Sequence, residues 1–133
     1  LSDEDCTPSI TTDKYDSTFT VNTDQLDNLA TNQIPFNQIS IGKMDIEGAE
    51  LLAFKGTASL LSLKQPPVWI IEILNKQDTE LIDLLESYDY GLYIYDADLN
   101  ILKEANLSQN NGNNFLAIAN TELERVRERI SNS

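Results

Sequence analysis

Two carboxylates stand where a β-sheet would deliver them to a ligand. Asp45 closes a β-branched stretch, Ile39-Ser40-Ile41-Gly42-Lys43-Met44-Asp45-Ile46, and Glu47-Gly48 form the turn after it. Glu72 lies inside Val68-Trp69-Ile70-Ile71-Glu72-Ile73-Leu74, a run so apolar that a carboxylate within it is costly to bury without a partner. It must therefore be paired or lie near the exposed end of the strand, and Lys43 on a neighbouring strand is the partner on offer. The chain has no histidine, so the usual general base is missing and any proton transfer falls to carboxylates, lysines or tyrosines. Glu50 reads differently, because an acidic residue in the first turn of a helix complements the helix dipole. From spacing alone, Lys43 through Glu50 reads first as a capped strand-to-helix turn and second as a reactive corner.

These residues need elements to hold them. The stretch 39–46 is a strand that runs straight into a helix over Ala49-Glu50-Leu51-Leu52-Ala53-Phe54-Lys55, with Gly56 placed to end it. Upstream, Thr18-Phe19-Thr20-Val21 is β-prone and is followed by Leu26, Leu29 and Ala30 at helical spacing, with Asp24 as the cap. Gln65-Pro66-Pro67 breaks the chain before the apolar strand 68–74, of the kind a central strand requires. Asp78 can cap a helix carrying Leu81, Ile82, Leu84 and Leu85, and Gly91 separates that helix from Leu92-Tyr93-Ile94-Tyr95. The turn Asp96 to Asn100 leads into Ile101-Leu102 as a hairpin or extended excursion. Phe115 to Ala119 is a further strand, and Thr121 opens a charged terminal helix through Ile130. Residues 1–18, rich in Asp, Ser and Thr, read as a polar arm or linker preceding a domain over 19–133. Strands alternating with helices argue for an α/β domain with a mostly parallel sheet and helical crossovers; the last strand, reached through an extended loop, is the one expected to be antiparallel.

Composition narrows the partners. A chain of 133 residues with 41% apolar and 8% aromatic content can fill one core. Its 9 basic and 22 acidic residues, a formal net charge of -13, oppose approach to phosphate backbones or anionic lipid, so neither nucleic acid nor membrane is expected as a partner. No apolar run approaches the roughly 20 residues that span a bilayer, and no signal peptide is recognisable, so a cytoplasmic location is expected. A lone Cys6 excludes an internal disulfide and a cysteine-rich zinc site. Asp96-Ala97-Asp98-Leu99-Asn100 begins like a calcium loop, but Ile101 and Leu107 stand where its Gly and closing Glu are required. It reads as a solvated turn, and no metal is expected. Tyr88, Tyr90, Tyr93 and Tyr95 alternate in a way that suits sheet packing better than a sugar site.

Thr20-Val21-Asn22-Thr23-Asp24-Gln25-Leu26-Asp27-Asn28-Leu29, then Lys43-Met44-Asp45-Ile46-Glu47-Gly48-Ala49-Glu50-Leu51-Leu52, then Lys55-Gly56-Thr57, Pro67 and Ile70-Ile71-Glu72-Ile73 closely resemble the FkbM family of methyltransferases. The segment Lys-x-Asp-x-Glu-Gly-x-Glu is the most specific piece, and Tyr90-Gly91-Leu92-Tyr93 departs from the family's usual Gly-Tyr order. The resemblance covers about residues 20–120. It implies a Rossmann-like methyltransferase that moves a methyl group from S-adenosylmethionine to a hydroxyl of a sugar or natural product. Within that fold the chain would supply the fourth strand and everything after it, the C-terminal, substrate-side half. No strand runs into a glycine-rich turn, and none of the five glycines sits in a G-x-G-x-x-G arrangement; the chain is therefore expected not to hold the cofactor unaided. The resemblance makes Asp45 and then Glu47 the candidates for orienting the acceptor hydroxyl or taking its proton. Lys43 and Glu72 become acceptor contacts, and Gly48 the point where backbone approaches the cofactor. A non-catalytic, truncated module that associates through an unpaired sheet edge is the competing expectation, and such an edge favours a homodimer.

Overall fold

The structure is a computed structural model and describes residues 20, 22–32, 34–74, 79–109 and 112–132. The strand expected over 18–21 lies outside the described residues apart from Thr20, as do the arm 1–18 and the helix cap expected at Asp78. Five strands form one sheet: β1 (Ile41–Met44), β2 (Val68–Glu72), β3 (Tyr90–Asp96), β4 (Ile101–Glu104) and β5 (Asn114–Ala119). The helices are α1 (Leu26–Asn32), α2 (Glu50–Lys55), α3 (Ala58–Ser62), α4 (Glu80–Ser87) and α5 (Leu123–Ser131). Asp24 lies two residues before α1 and its Oδ1 accepts from Gln25 N–H at 2.8 Å and from the Asn28 side-chain Nδ2 at 2.8 Å, so the expected cap on a first-turn backbone N–H is replaced by a bond to a helix side chain.

The strand order is β1-β2-β5-β3-β4, and this corrects the expectation of a mostly parallel sheet. Only β1 and β2 pair in parallel; β2–β5, β3–β5 and β3–β4 are antiparallel. The helical crossovers are present, through α2 and α3 between β1 and β2 and through α4 between β2 and β3. Both β2 and β3 run antiparallel to β5 and so point the same way. The reversed β5 lies between them and replaces the parallel contact they would otherwise make. The antiparallel last strand and the β3–β4 hairpin are both as the sequence suggests.

Strand alternation sends Gly42, Met44, Trp69, Ile71, Phe115, Ala117 and Ala119 to one face. There they meet Phe54 of α2, Leu61 of α3, and Leu81 and Leu85 of α4 in one buried cluster. Phe54 packs edge-on against Trp69, with ring centroids 5.2 Å apart and planes at 79°, an arrangement aromatic quadrupoles favour. A Cβ on Gly42 would come within 2.6 Å of the Trp69 ring, so glycine is what lets the indole lie against β1. The short helix α3 is tied to α1 from a distance: Asp27 accepts from Ser59 N–H at 2.8 Å and Leu60 N–H at 3.1 Å, satisfying first-turn donors that a helix leaves open.

The other face is covered unevenly. Tyr93 and Ile118 are buried there, with the charges of Arg127 and Glu124 from α5 close enough to act on Tyr93. Toward β1, Val68, Ile70 and Leu116 are half-buried and Ile41 is 51% exposed. A cavity of about 410 Å³ opens on this face, lined by Ile70, Tyr95, Asn114, Phe115, Leu116 and Ile130.

Candidate functional site

Parallel pairing in register, with Met44 opposite Ile71, brings the ends of β1 and β2 out at one rim. Asp45 leaves β1 there, and Glu72, the last residue of β2, stands opposite Asn114, the first of β5. In open α/β sheets this is the rim where ligands bind. The sequence candidates Lys43, Asp45, Glu47, Gly48 and Glu72 thus lie on two adjoining strand ends.

Lys43 Nζ donates to Asp45 Oδ2 at 2.7 Å, with the two side chains 59% and 40% exposed. That bond and the Asp45 charge raise the Lys43 pKa, burial works against them, and Glu72 adds a smaller push upward. Lys43, expected as the partner of Glu72, therefore serves Asp45 instead. Among the described residues no ion pair reaches Glu72. Its carboxyl is held above the usual range, first by loss of solvent and then by the charges of Asp45, Glu47 and Glu50, with Lys43 opposing. A carboxylate made more basic by its surroundings is a feature of sites that move protons.

The turn after β1 has a specific backbone. Glu47 takes φ 57° and Gly48 φ 95°, consecutive left-handed conformations that L-residues avoid and glycine tolerates. A Cβ on Gly48 would touch nothing within 4 Å, so the conformation, not crowding, selects glycine, and the space above it is open. Glu50 opens α2 but does not face solvent: it is 4% exposed, and its Oε1 accepts from Ile46 N–H at 3.1 Å. Reading Glu50 as a dipole complement misses this. The available signal is its spacing of four from Ile46, which lets a side chain at the helix start reach back to the strand end.

Other polar groups are committed elsewhere. Tyr90 is buried and donates to Pro66 O at 2.9 Å, at the opposite rim, and burial pushes its hydroxyl up to about 12. Tyr93 is also buried, which agrees with sheet packing; Tyr95 donates to Asn100 Oδ1 at 2.6 Å. Asp96 pairs with Lys103 and accepts from Asp98 and Leu99 N–H; the Lys103 hydrogen bond leads in holding its pKa down. It is a turn anchor. No cluster of three or more metal-ligating side chains occurs among the described residues, nor does any helix among them have the length and apolarity to cross a membrane.

The sequence model described as the methyltransferase FkbM domain matches residues 2–92. The chain belongs to the FkbM methyltransferase family. The match takes in β1, the turn, β2 and the start of β3, and so contains Lys43, Asp45, Glu47, Gly48, Glu50 and Glu72; the hairpin, β5 and α5 extend past it. No curated protein and no solved structure matches the chain. Methyltransferases of this family generally use S-adenosylmethionine. The charges of Asp45, Glu47 and Glu50 all act on the Glu72 carboxyl, with Lys43 alone opposing, a net negative field of the sign that attracts a cationic group.

Proposed function

We propose that this chain is the substrate-side half of a Rossmann-like, S-adenosylmethionine-dependent O-methyltransferase acting on a hydroxyl of a sugar or natural product. The observation that carries the reading is the placement of Asp45 and Glu72 together at the C-terminal rim of the parallel β1–β2 pair, within a family of methyltransferases. Asp45, Glu47, Gly48 and Glu72 are the residues of this chain that would border the cofactor and acceptor. Bound S-adenosylmethionine supplies an electrophilic methyl group on a cationic sulfonium.

The work left to the protein is alignment and removal of one proton. Asp45 would accept the proton that the acceptor hydroxyl gives up when the hydroxyl oxygen is methylated. Lys43 fixes Asp45 Oδ2 and thereby the direction of the other oxygen. Glu72 would orient the hydroxyl from the adjacent strand, and Glu47 would serve the acceptor or the cofactor's charged end. The half-buried Ile70 and Leu116 beside Glu72 offer an apolar wall to a natural-product acceptor.

The test is transfer of a labelled methyl group from S-adenosylmethionine to hydroxyl-bearing sugars and polyketide-type alcohols by the complete enzyme. An O-methyl ether is the expected product; methylation confined to nitrogen or carbon would refute the reading. Calorimetric titration of S-adenosylmethionine into this chain alone should give no heat at high ligand concentration. Measurable binding would show that the chain grips the cofactor itself and is not a substrate-side half.

A second reading has its own observation. Among the described residues β1 pairs with β2 alone, and Ile41 on that strand is 51% exposed, which favours association through the β1 edge, as a homodimer or with another chain. Complete absence of methyl transfer together with self-association through β1 would select it.

A further inference from the structure

We propose that Glu50 is a positioning residue that sets the turn Asp45–Ala49 and so holds Asp45 and Glu47 in place opposite Glu72. The importance of that placement for catalysis rests on the methyltransferase reading; the placement itself does not.

The turn has little else to hold it. Ile46 is 40% exposed, and Asp45, Glu47, Gly48 and Ala49 are all exposed, so no apolar side chain anchors the loop in the core. Its two ends are joined by two hydrogen bonds instead. Ala49 N–H donates to Ile46 O at 3.3 Å, and Ile46 N–H donates to Glu50 Oε1 at 3.1 Å. Between these bonds lie the left-handed Glu47 and Gly48. A non-glycine residue in that region costs on the order of 1 kcal/mol and persists when its surroundings over-determine it.

A glutamate whose task was to complement the helix dipole would stand in solvent at no desolvation cost. Glu50 is instead 4% exposed, and burial of a carboxylate is tolerated where it is hydrogen-bonded. Its bond goes to the backbone of the residue between Asp45 and Glu47. Loss of that bond frees the Ile46 peptide, and with it the carboxylates on either side. Glu72 senses all three, since its pKa is raised by Asp45, Glu47 and Glu50 together, and so serves as a built-in reporter of where the turn lies.

The experiment uses this chain and two variants. Glu50→Gln removes the charge but keeps a carbonyl acceptor for Ile46 N–H, whereas Glu50→Ala removes both. Two readouts are taken: hydrogen exchange of the Ile46 amide, and the titration midpoint of the Glu72 carboxyl followed by carbon NMR. Exchange at Ile46 should stay near the parent rate in Glu50→Gln and accelerate about tenfold or more in Glu50→Ala, as expected for loss of a net hydrogen bond.

Both variants lose the direct push of Glu50 on Glu72. A midpoint lower in Glu50→Ala than in Glu50→Gln therefore reports movement of Asp45 and Glu47 away from Glu72, which a plain helix cap would not produce. Equal midpoints, or Ile46 exchange unchanged in Glu50→Ala, would overturn the proposal. The amides of Phe115 to Ala119 serve as the internal control for folding. Should alanine unfold the chain, Glu50→Met keeps a buried stem without the acceptor and is read in the same way. Failure of the methyltransferase reading would show as absent methyl transfer with these two readouts intact.

Discussion

Replacement of Asp45 by asparagine in the complete enzyme should lower turnover by about 100-fold or more, the contribution of a positioned general base, while the melting temperature barely moves. The two halves of that expectation have separate causes. Asparagine keeps the size and a hydrogen-bonding oxygen, so acceptor binding survives, but the amide cannot take the hydroxyl proton. Stability is insensitive because the Lys43–Asp45 pair is exposed on both sides, and solvated ion pairs contribute little. Kinetics of methyl transfer and a thermal melt check both at once. Unchanged turnover would move the base to Glu47 or Glu72, and Glu72 has the stronger physical case because its raised pKa brings it nearer to the working pH.

Replacement of Glu72 by glutamine should act on activity and stability in opposite directions. Loss of a charged hydrogen bond to the acceptor is expected to lower kcat/KM by about 10- to 100-fold. The fold, by contrast, should gain. The folded-state pKa of Glu72 lies above that of an unfolded glutamate, so the contribution of this group to stability is complete below the unfolded value, about 4.3, and declines as pH rises through the folded value. At neutral pH the ionised carboxylate opposes folding, and Glu72→Gln should melt higher than the parent protein. Toward pH 4 the two curves should converge. Melts across that range decide it: a glutamine variant that is less stable at neutral pH would mean that Glu72 is held in place by a favourable partner, and that the rim is not a strained acidic site. A residue that costs stability and supports activity is a mark of function, because packing alone would not retain it.

Much of this architecture is legible in the sequence because the elements concerned are specified locally. The apolar run around Trp69 and the β-branched run ending at Met44 can be read without tertiary information, and so can the periodic leucines of α4. The turn Asp96–Asn100 encodes its hairpin through an aspartate that accepts from the backbone two and three residues on. The arm and the first expected strand fall outside the described residues, except for Thr20.

The features that stay hidden depend on distant partners. The helix Ala58–Ser62 is short, and its first turn is satisfied by Asp27, 32 residues upstream of Ser59; no local cap announces it. The apolar run Phe115–Ala119 marks a buried strand, yet its insertion between β2 and β3 is decided by contacts on both its edges, which a single strand's pattern does not contain. At the site, the sequence brings out residues that the structure sets at one rim, but not their pairing. Lys43 is two residues from Asp45 and one strand away from Glu72, and the backbone after Met44 directs Asp45 back to the lysine. Glu50 looks like an ordinary helix opener until its burial is seen. Local patterns thus identify the strand end and its carboxylates, and the geometry of the turn determines that Lys43 pairs with Asp45 and leaves Glu72 without an ion pair among the described residues.

The most direct test of a ligand-binding rim at the ends of β1 and β2 is the amide-resonance map of the complete enzyme on addition of S-adenosylhomocysteine. The shifts in this chain are expected to centre on Asp45 through Ala49 and on Glu72. Shifts centred on the opposite rim, at Val68, Tyr90 and Ala119, with Asp45 through Ala49 unmoved, would contradict that placement.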